Sequence, residues 1–171
     1  MIKLKDIMED EDYKKLSSIE NRNLFETYAM LGELLNPNNS FTYENVAKGW
    51  YEYLDSRGNK YFVRLTYNPT VVPFFELKTG WYDENGKPYY ESTHPNSSVK
   101  DWDKRSDTVA KIFRDDIIPF FLEQDLSNTL KIFPLDIKRY QFSIRLVNKF
   151  VSNDKIEIVE YKPDRIDLIK K

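Results

Sequence analysis

Residues 48–67 read KGWYEYLDSRGNKYFVRLTY, and their pattern gives the clearest indication of the fold class. Aromatic and β-branched residues fill both halves, which favours strands, and the central Ser56-Arg-Gly-Asn segment is typical of a tight turn. Gly58 can supply the positive φ that such a turn needs. The stretch therefore predicts two antiparallel strands joined by a hairpin turn.

The residues that follow continue the same pattern. A third strand is predicted from Val71 to Tyr82, and Pro73 inside it indicates an edge or a bulge in its early part. Asp83-Glu-Asn-Gly-Lys-Pro is the clearest turn in the sequence, and it returns the chain into a fourth strand at Tyr89-Tyr-Glu. We therefore expect an antiparallel β-meander of about four strands.

Segments on both sides of the meander show helical spacing. Before it, apolar residues recur every three or four positions from Ser18 to Leu35. After it, Ser106 is predicted to cap a helix that Pro119 kinks or ends, and Asp136 to open a second helix that runs to about Val151. Apolar residues also alternate in the first half of this last segment, so a strand is the rival interpretation there.

These elements predict a single α+β domain over residues 1–171. Two short strands, at 130–135 and 155–161, complete it. We expect an antiparallel β-meander packed against two C-terminal helices, with an N-terminal helical segment. The expected divisions are a helical segment at 1–40, an α+β core at 41–162 and a charged tail at 163–171.

Composition excludes several classes of protein. The chain has no cysteine and one histidine, which excludes disulfides, thiolate metal sites and histidine pairs, so we expect no metal and no cofactor. A net charge of -2 gives no general attraction to phosphate. No apolar run approaches the roughly 20 residues that cross a bilayer, so we expect no membrane contact and a cytoplasmic location, in the cell or in a host.

One pattern of charged residues suggests an enzyme. Phe74-Phe-Glu-Leu-Lys-Thr-Gly resembles the second half of the motif of PD-(D/E)xK nucleases, in which two carboxylates hold Mg²⁺ and a lysine activates water. On that resemblance Asp55 and Glu76 are the metal ligands and Lys78 is the activating residue. Asp55 departs from the motif because it enters a turn and no proline precedes it.

A second pattern suggests nucleic-acid binding. Lys138, Arg145 and Lys149 share one face of the predicted last helix, where they can form a phosphate-facing stripe. The same residues also suit the solvent face of an amphipathic helix. Nucleic-acid binding is therefore an alternative to the protein-binding role that the aromatic residues favour.

Aromatic residues make up 15% of the chain, more than an interior of this size readily hides. Trp81, Tyr82, Tyr89 and Tyr90 flank the turn at Asp83, and they cannot all point inward because neighbouring strand residues face opposite sides. Trp and Tyr are preferred anchors of protein interfaces. The hairpin therefore predicts a non-enzymatic interaction protein that binds a protein partner or a second copy of itself.

Two segments resemble parts of a loosely defined group of small tailed-bacteriophage proteins. They are Ser106-Asp-Thr-Val-Ala-Lys-Ile-Phe-Arg-Asp-Asp-Ile-Ile-Pro-Phe-Phe and Ile144-Arg-Leu-Val-Asn-Lys-Phe. The resemblance covers residues 45–160 and concerns the layout of a meander, a helix, a short strand and a basic amphipathic segment. It carries no catalytic motif. It implies a phage accessory or virion-associated protein that works by binding.

Overall fold

The predicted hairpin forms in the computed structural model, which describes residues 35–91 and 93–171. The antiparallel strands β1 (Tyr43–Ala47), β2 (Trp50–Leu54) and β3 (Lys60–Asn68) follow one another along the chain. Gly58 has a φ of 79° in the turn between β2 and β3. A side chain at this φ is disfavoured, so the turn requires the glycine that the sequence provides.

Two more strands extend this part of the sheet. β4 (Phe74–Tyr82) pairs antiparallel with β3, and β5 (Pro88–Tyr89) pairs antiparallel with the end of β4. β4 begins after Pro73 and not at Val71 as predicted, since proline cannot donate to the hydrogen-bond ladder. Val71 and Val72 consequently lie exposed before the strand.

The sheet is larger than the predicted meander. β6 (Thr129–Ile132) lies parallel to β4, and the hairpin of β7 (Ile156–Tyr161) and β8 (Arg165–Lys170) continues the sheet beyond it. The resulting eight-stranded sheet has the order β1-β2-β3-β4-β6-β8-β7, with β5 on the end of β4. The fold is therefore mixed α+β, as predicted, with one parallel strand pair that a meander does not contain.

The prediction of a charged tail at residues 163–171 needs correction, because most of this segment is a strand of the sheet. It contains β8, which lies between β6 and β7 and carries the fully buried Ile166 and Leu168. The sequence of this strand reads as polar because Arg165, Asp167 and Lys170 are charged. Asp167 is also buried, and it pairs with Arg165 at 3.3 Å.

The first long helical region starts earlier than predicted. α1 (Trp102–Ile112) begins before Ser106 because Ser98 caps a 3₁₀ turn, Val99–Asp101, that leads directly into it. A π-helical segment, Phe113–Ile117, connects α1 to α2 (Ile118–Glu123). The helical path continues past Pro119, since the proline lies in the first turn of α2, where a missing N–H is tolerated.

The last helix agrees with its prediction. α3 (Ile137–Phe150) begins after Asp136, whose carboxylate accepts a hydrogen bond from the Arg139 backbone N–H at 2.9 Å. This is an N-cap, which satisfies a donor that the first turn leaves free. The rival strand interpretation of this segment is wrong.

The described helices all cover one face of the sheet. On that face the Tyr43 hydroxyl donates to Asp116, the Phe75 ring meets Phe121 with centroids 6.0 Å apart, and α3 packs on β8. The opposite face, which we call the helix-free face, carries none of the helices in the described part of the chain. The helix predicted from Ser18 falls in residues 1–34, outside the described residues.

Candidate functional site

Strand register builds a cluster of rings and cations on the helix-free face. Arg64 of β3 lies opposite Trp50 of β2 and Lys78 of β4, and Phe62 lies opposite Gly80. Side chains alternate between the faces of a strand, so all of these side chains share the face opposite the helices. We call the cluster the Arg64 patch; its members are Trp50, Glu52, Phe62, Arg64, Lys78, Tyr82 and Tyr90.

The Arg64 side chain is held by three aromatic rings. Its guanidinium carbon lies 5.1 Å from the ring centre of Trp50, 5.1 Å from that of Phe62 and 5.5 Å from that of Tyr90. The guanidinium also donates a hydrogen bond to the Tyr90 hydroxyl. Cation–π contacts of this kind are worth about 0.5–1 kcal/mol each at exposed sites, so the rings fix the arginine in one position.

Arg64 differs from its cationic neighbours in its partners. Lys60 pairs with Glu52 at 3.7 Å, and Lys78 pairs with Glu76 at 3.8 Å. Arg64 has no carboxylate within ion-pair distance among residues 35–91 and 93–171. The patch thus presents a positioned guanidinium whose charge the described residues leave without a counter-ion.

The rest of the patch sets the environment of that charge. Phe62 is fully buried beneath it, whereas 43% of the Tyr90 surface is exposed. Burial, and next the Glu52 carboxylate, raise the pKa of Tyr82 to about 12, so its hydroxyl stays protonated at neutral pH. The patch therefore combines an apolar base, a neutral hydroxyl and a cation.

The predicted aromatic anchors divide between the two faces. Tyr82 and Tyr90 belong to the Arg64 patch, but Trp81 is 6% exposed and lies in the core, where its ring stacks on Tyr89 with centroids 4.3 Å apart. Of the four, Tyr90 is the most exposed. The sequence analysis did not identify Arg64, because its role depends on the pairing of β3 with β2 and β4. Once that register is known, Arg64, Lys78 and Tyr82 are seen to lie on the same face of the sheet.

The predicted nuclease residues do not come together. Asp55 lies opposite Asn59, whose carbonyl oxygen accepts a hydrogen bond from the Asp55 backbone N–H. Glu76 lies opposite Thr66 in the pairing of β4 with β3. Thr66 follows Asn59 by seven residues, which corresponds to about 23 Å along an extended strand at about 3.3 Å per residue. One Mg²⁺ cannot bridge that distance, so the strand register does not bring the two predicted ligands together.

Asp55 is instead engaged in its own turn. Its carboxylate accepts hydrogen bonds from the backbone N–H groups of Arg57 and Asn59, at 2.9 and 3.0 Å, and from the Tyr61 hydroxyl at 3.0 Å. The described residues contain no group of three or more carboxylate or histidine side chains placed to hold a metal ion. Glu76 and Lys78 pair with each other on the helix-free face.

The predicted basic stripe of α3 is partly engaged in the fold. Lys149 donates to the Leu35 carbonyl oxygen at 2.7 Å and lies over the Phe150 ring. Lys138 and Arg145 also make contacts of their own. Nucleic-acid binding by these residues stays a prediction.

Comparison with known proteins yields no relative. No family model, no curated protein and no solved structure matches the chain. The likeness to tailed-phage proteins, with the virion and host locations it implies, therefore stays a prediction. Within residues 35–91 and 93–171, no helix has the length and apolar character to span a bilayer.

Proposed function

We propose that the protein is a non-enzymatic interaction protein, and that the Arg64 patch binds an acidic segment of a protein partner. The supporting observation is Arg64 itself, a cation that three rings hold on the helix-free face without a carboxylate partner among the described residues. A guanidinium binds a carboxylate through two parallel hydrogen bonds, which gives both affinity and orientation.

The neighbours of Arg64 favour a protein as the source of that carboxylate. Arg, Trp and Tyr are the residues that most often dominate protein interfaces. The exposed edge of Tyr90 and the half-buried Trp50 offer apolar contact beside the charge. A partner segment that places an aspartate or glutamate next to an apolar side chain satisfies both features.

Binding to synthetic peptides tests the proposal. The probes are two peptides of the same length, one with Asp and Glu interleaved with Leu and Phe, the other with Asn and Gln in place of the acids. We expect the native chain to bind the acidic peptide and Arg64→Gln to bind it 10–100-fold more weakly, since hydrogen bonds to charged groups contribute about 1.5–3 kcal/mol. Fluorescence anisotropy of labelled peptides measures both affinities.

Lys60→Gln is the matched control, because it removes one positive charge from the same strand and face at a lysine that already has a carboxylate partner. We expect it to change the affinity less than twofold. Equal binding of the two peptides, or equal effects of the two substitutions, would contradict the proposal. Sedimentation that shows a native dimer and a monomeric Arg64→Gln variant would identify a second copy as the occupant and would also overturn it.

A further inference from the structure

A cavity of about 320 Å³ lies between α1, α3 and β4. β6 pairs with Phe75–Leu77 of β4, and β5 pairs with Trp81 and Tyr82. The part of the β4 edge between these two pairings, residues 78–80, borders the cavity. Small-molecule sites are typically concave and about 300–1,000 Å³ in volume. The cavity is large enough for a small ligand.

Most of the cavity wall is apolar. The sheet contributes Leu77 and Ile132, α1 contributes Val109, and α3 contributes Phe142 and Leu146. The loop after β6 adds the exposed Phe133 and Leu135 at the rim. These side chains favour a ligand with an apolar body.

Two nearly buried donors line the same cavity. Arg105 is 8% exposed, and its guanidinium carbon lies 4.1 Å from the ring centre of Tyr61. Trp102 is 7% exposed, and its indole N–H has no acceptor among the described residues. A buried donor without an acceptor costs free energy, which a ligand oxygen would recover.

Charged residues of both signs line the cavity. Lys78, Arg105 and Arg139 line the cavity together with Glu76 and Glu91. Lys78 pairs with Glu76 at 3.8 Å, and Arg139 pairs with Asp136, so the inference uses the charge of Arg105. Arg105 is nearly buried in this lining, and a low-dielectric wall strengthens its attraction for a carboxylate.

We infer that this cavity binds a small organic carboxylate with an apolar body. The carboxylate lies at Arg105 and the Trp102 indole N–H, and the apolar body lies against Ile132, Phe142 and Leu146. The cavity adjoins the Arg64 patch, since Phe62, Lys78 and Tyr90 of the patch also line it, but Arg64 itself is not among its lining residues.

Isothermal titration of the full chain with 4-phenylbutyrate and with its neutral amide tests the inference. We expect the carboxylate to bind at least tenfold more tightly than the amide. Arg105→Gln should reduce this preference to less than threefold, whereas Arg114→Gln, which removes an exposed charge from the π-helical segment that follows α1, should leave it unchanged. Val109→Phe places a ring in the cavity and should weaken the binding of both compounds at least tenfold.

Several results would overturn the inference. Equal affinity for the two compounds removes the role of the charge, and no binding of either at millimolar concentration shows that the cavity is closed or filled by the chain itself. These comparisons use the native chain, so they hold even where Arg105→Gln fails to fold. Because Arg64 does not line the cavity, an Arg64→Gln variant should keep its affinity for 4-phenylbutyrate, which distinguishes failure of this inference from failure of the proposed protein interface.

Discussion

Among single residues, Gly80 permits a very close approach of neighbouring atoms in the sheet. A Cβ atom at this position would lie 2.0 Å from the Tyr89 carbonyl oxygen and 2.7 Å from the Phe62 ring. Both distances are far below van der Waals contact, and the first involves backbone, which cannot rotate away. Gly80 therefore permits both the pairing of β5 with β4 and the position of the ring beneath Arg64.

We expect Gly80→Ala to lower the free energy of unfolding by about 2–3 kcal/mol, at the upper end of the usual cost of overpacking. Gly86→Ala is the control, because its Cβ would meet open space and only its φ of 79° opposes the change, at about 1 kcal/mol. Urea unfolding measures both. Gly80→Ala should also alter the near-ultraviolet circular dichroism of the Trp81–Tyr89 stack, which Gly86→Ala should leave intact.

Asp55 and Asp83 perform the same task in two hairpin turns, between β2 and β3 and between β4 and β5. In each turn the aspartate carboxylate accepts hydrogen bonds from the backbone N–H groups two and four residues later, and a glycine N–H three residues later donates to the aspartate carbonyl. The sequence Asp-x-x-Gly is common to both. This shared geometry gives Asp55 a structural role that needs no metal.

Asp83 should make stability depend on pH. The backbone N–H of Lys87, and then that of Asn85, lower the pKa of the Asp83 carboxyl because they donate to its charged form. A lowered folded-state pKa stabilises the fold above the unfolded value of about 3.9, and that contribution is lost as the pH falls through the folded-state value. We therefore expect the difference in urea midpoint between native chain and Asp83→Asn to be largest at neutral pH and to shrink in acid.

Glu84→Gln provides the control for this pH dependence. It removes the same charge from the adjacent position of the same turn, without touching the hydrogen bonds that Asp83 accepts. A midpoint difference for Asp83→Asn that does not change with pH, or one that Glu84→Gln reproduces, would show that the charge of Asp83 is not held by the turn.

Among the elements, β8 places fully buried residues in the core although its sequence is largely charged. Leu168 is fully buried on the helix side, and its neighbour Ile169 is half-buried on the helix-free face. We expect Leu168→Ala to cost about 2–5 kcal/mol and Ile169→Ala about 1 kcal/mol or less. Chemical denaturation of the two variants measures the contrast, and similar losses would contradict the assigned register.

The sequence identifies elements where local pattern and tertiary role agree. The hairpin of β2 and β3 and the cap of α3 at Asp136 could be predicted because turn and cap residues act within a few positions. β8 could not, since three of its six residues are charged and its burial depends on β6 and β7 on either side. The start of α1 was missed for a related reason: the 3₁₀ turn before it is capped by Ser98, eight residues upstream of Ser106.

The candidate sites depend on contacts that local pattern does not specify. Tyr82 and Tyr90 could be singled out because aromatic residues cluster around one turn. Arg64 and Arg105 could not, since one is defined by the register of three strands and the other by its approach to the Tyr61 ring. An arginine gains its role from its neighbours, and those neighbours are distant in sequence.

At the scale of the whole molecule, β6 joins two parts of the sheet that are distant in sequence. It pairs with β4 through Leu130 and Ile132 on one side and with β8 on the other. The Ser127 hydroxyl adds a hydrogen bond to the Pro73 carbonyl oxygen at 2.6 Å, at the start of the same junction. Buried residues from both parts belong to one apolar cluster under the helices.

This continuity predicts a single cooperative unfolding transition. All three tryptophans lie between residues 50 and 102, so fluorescence reports on β2, β4 and α1, whereas far-ultraviolet circular dichroism reports on the entire chain. Leu168→Ala acts in β8, on the far side of β6, yet we expect it to lower the urea midpoint seen by both probes equally, because the two parts share one core. A fluorescence transition that stays at the native midpoint while the dichroism shifts would mean that the two parts unfold independently.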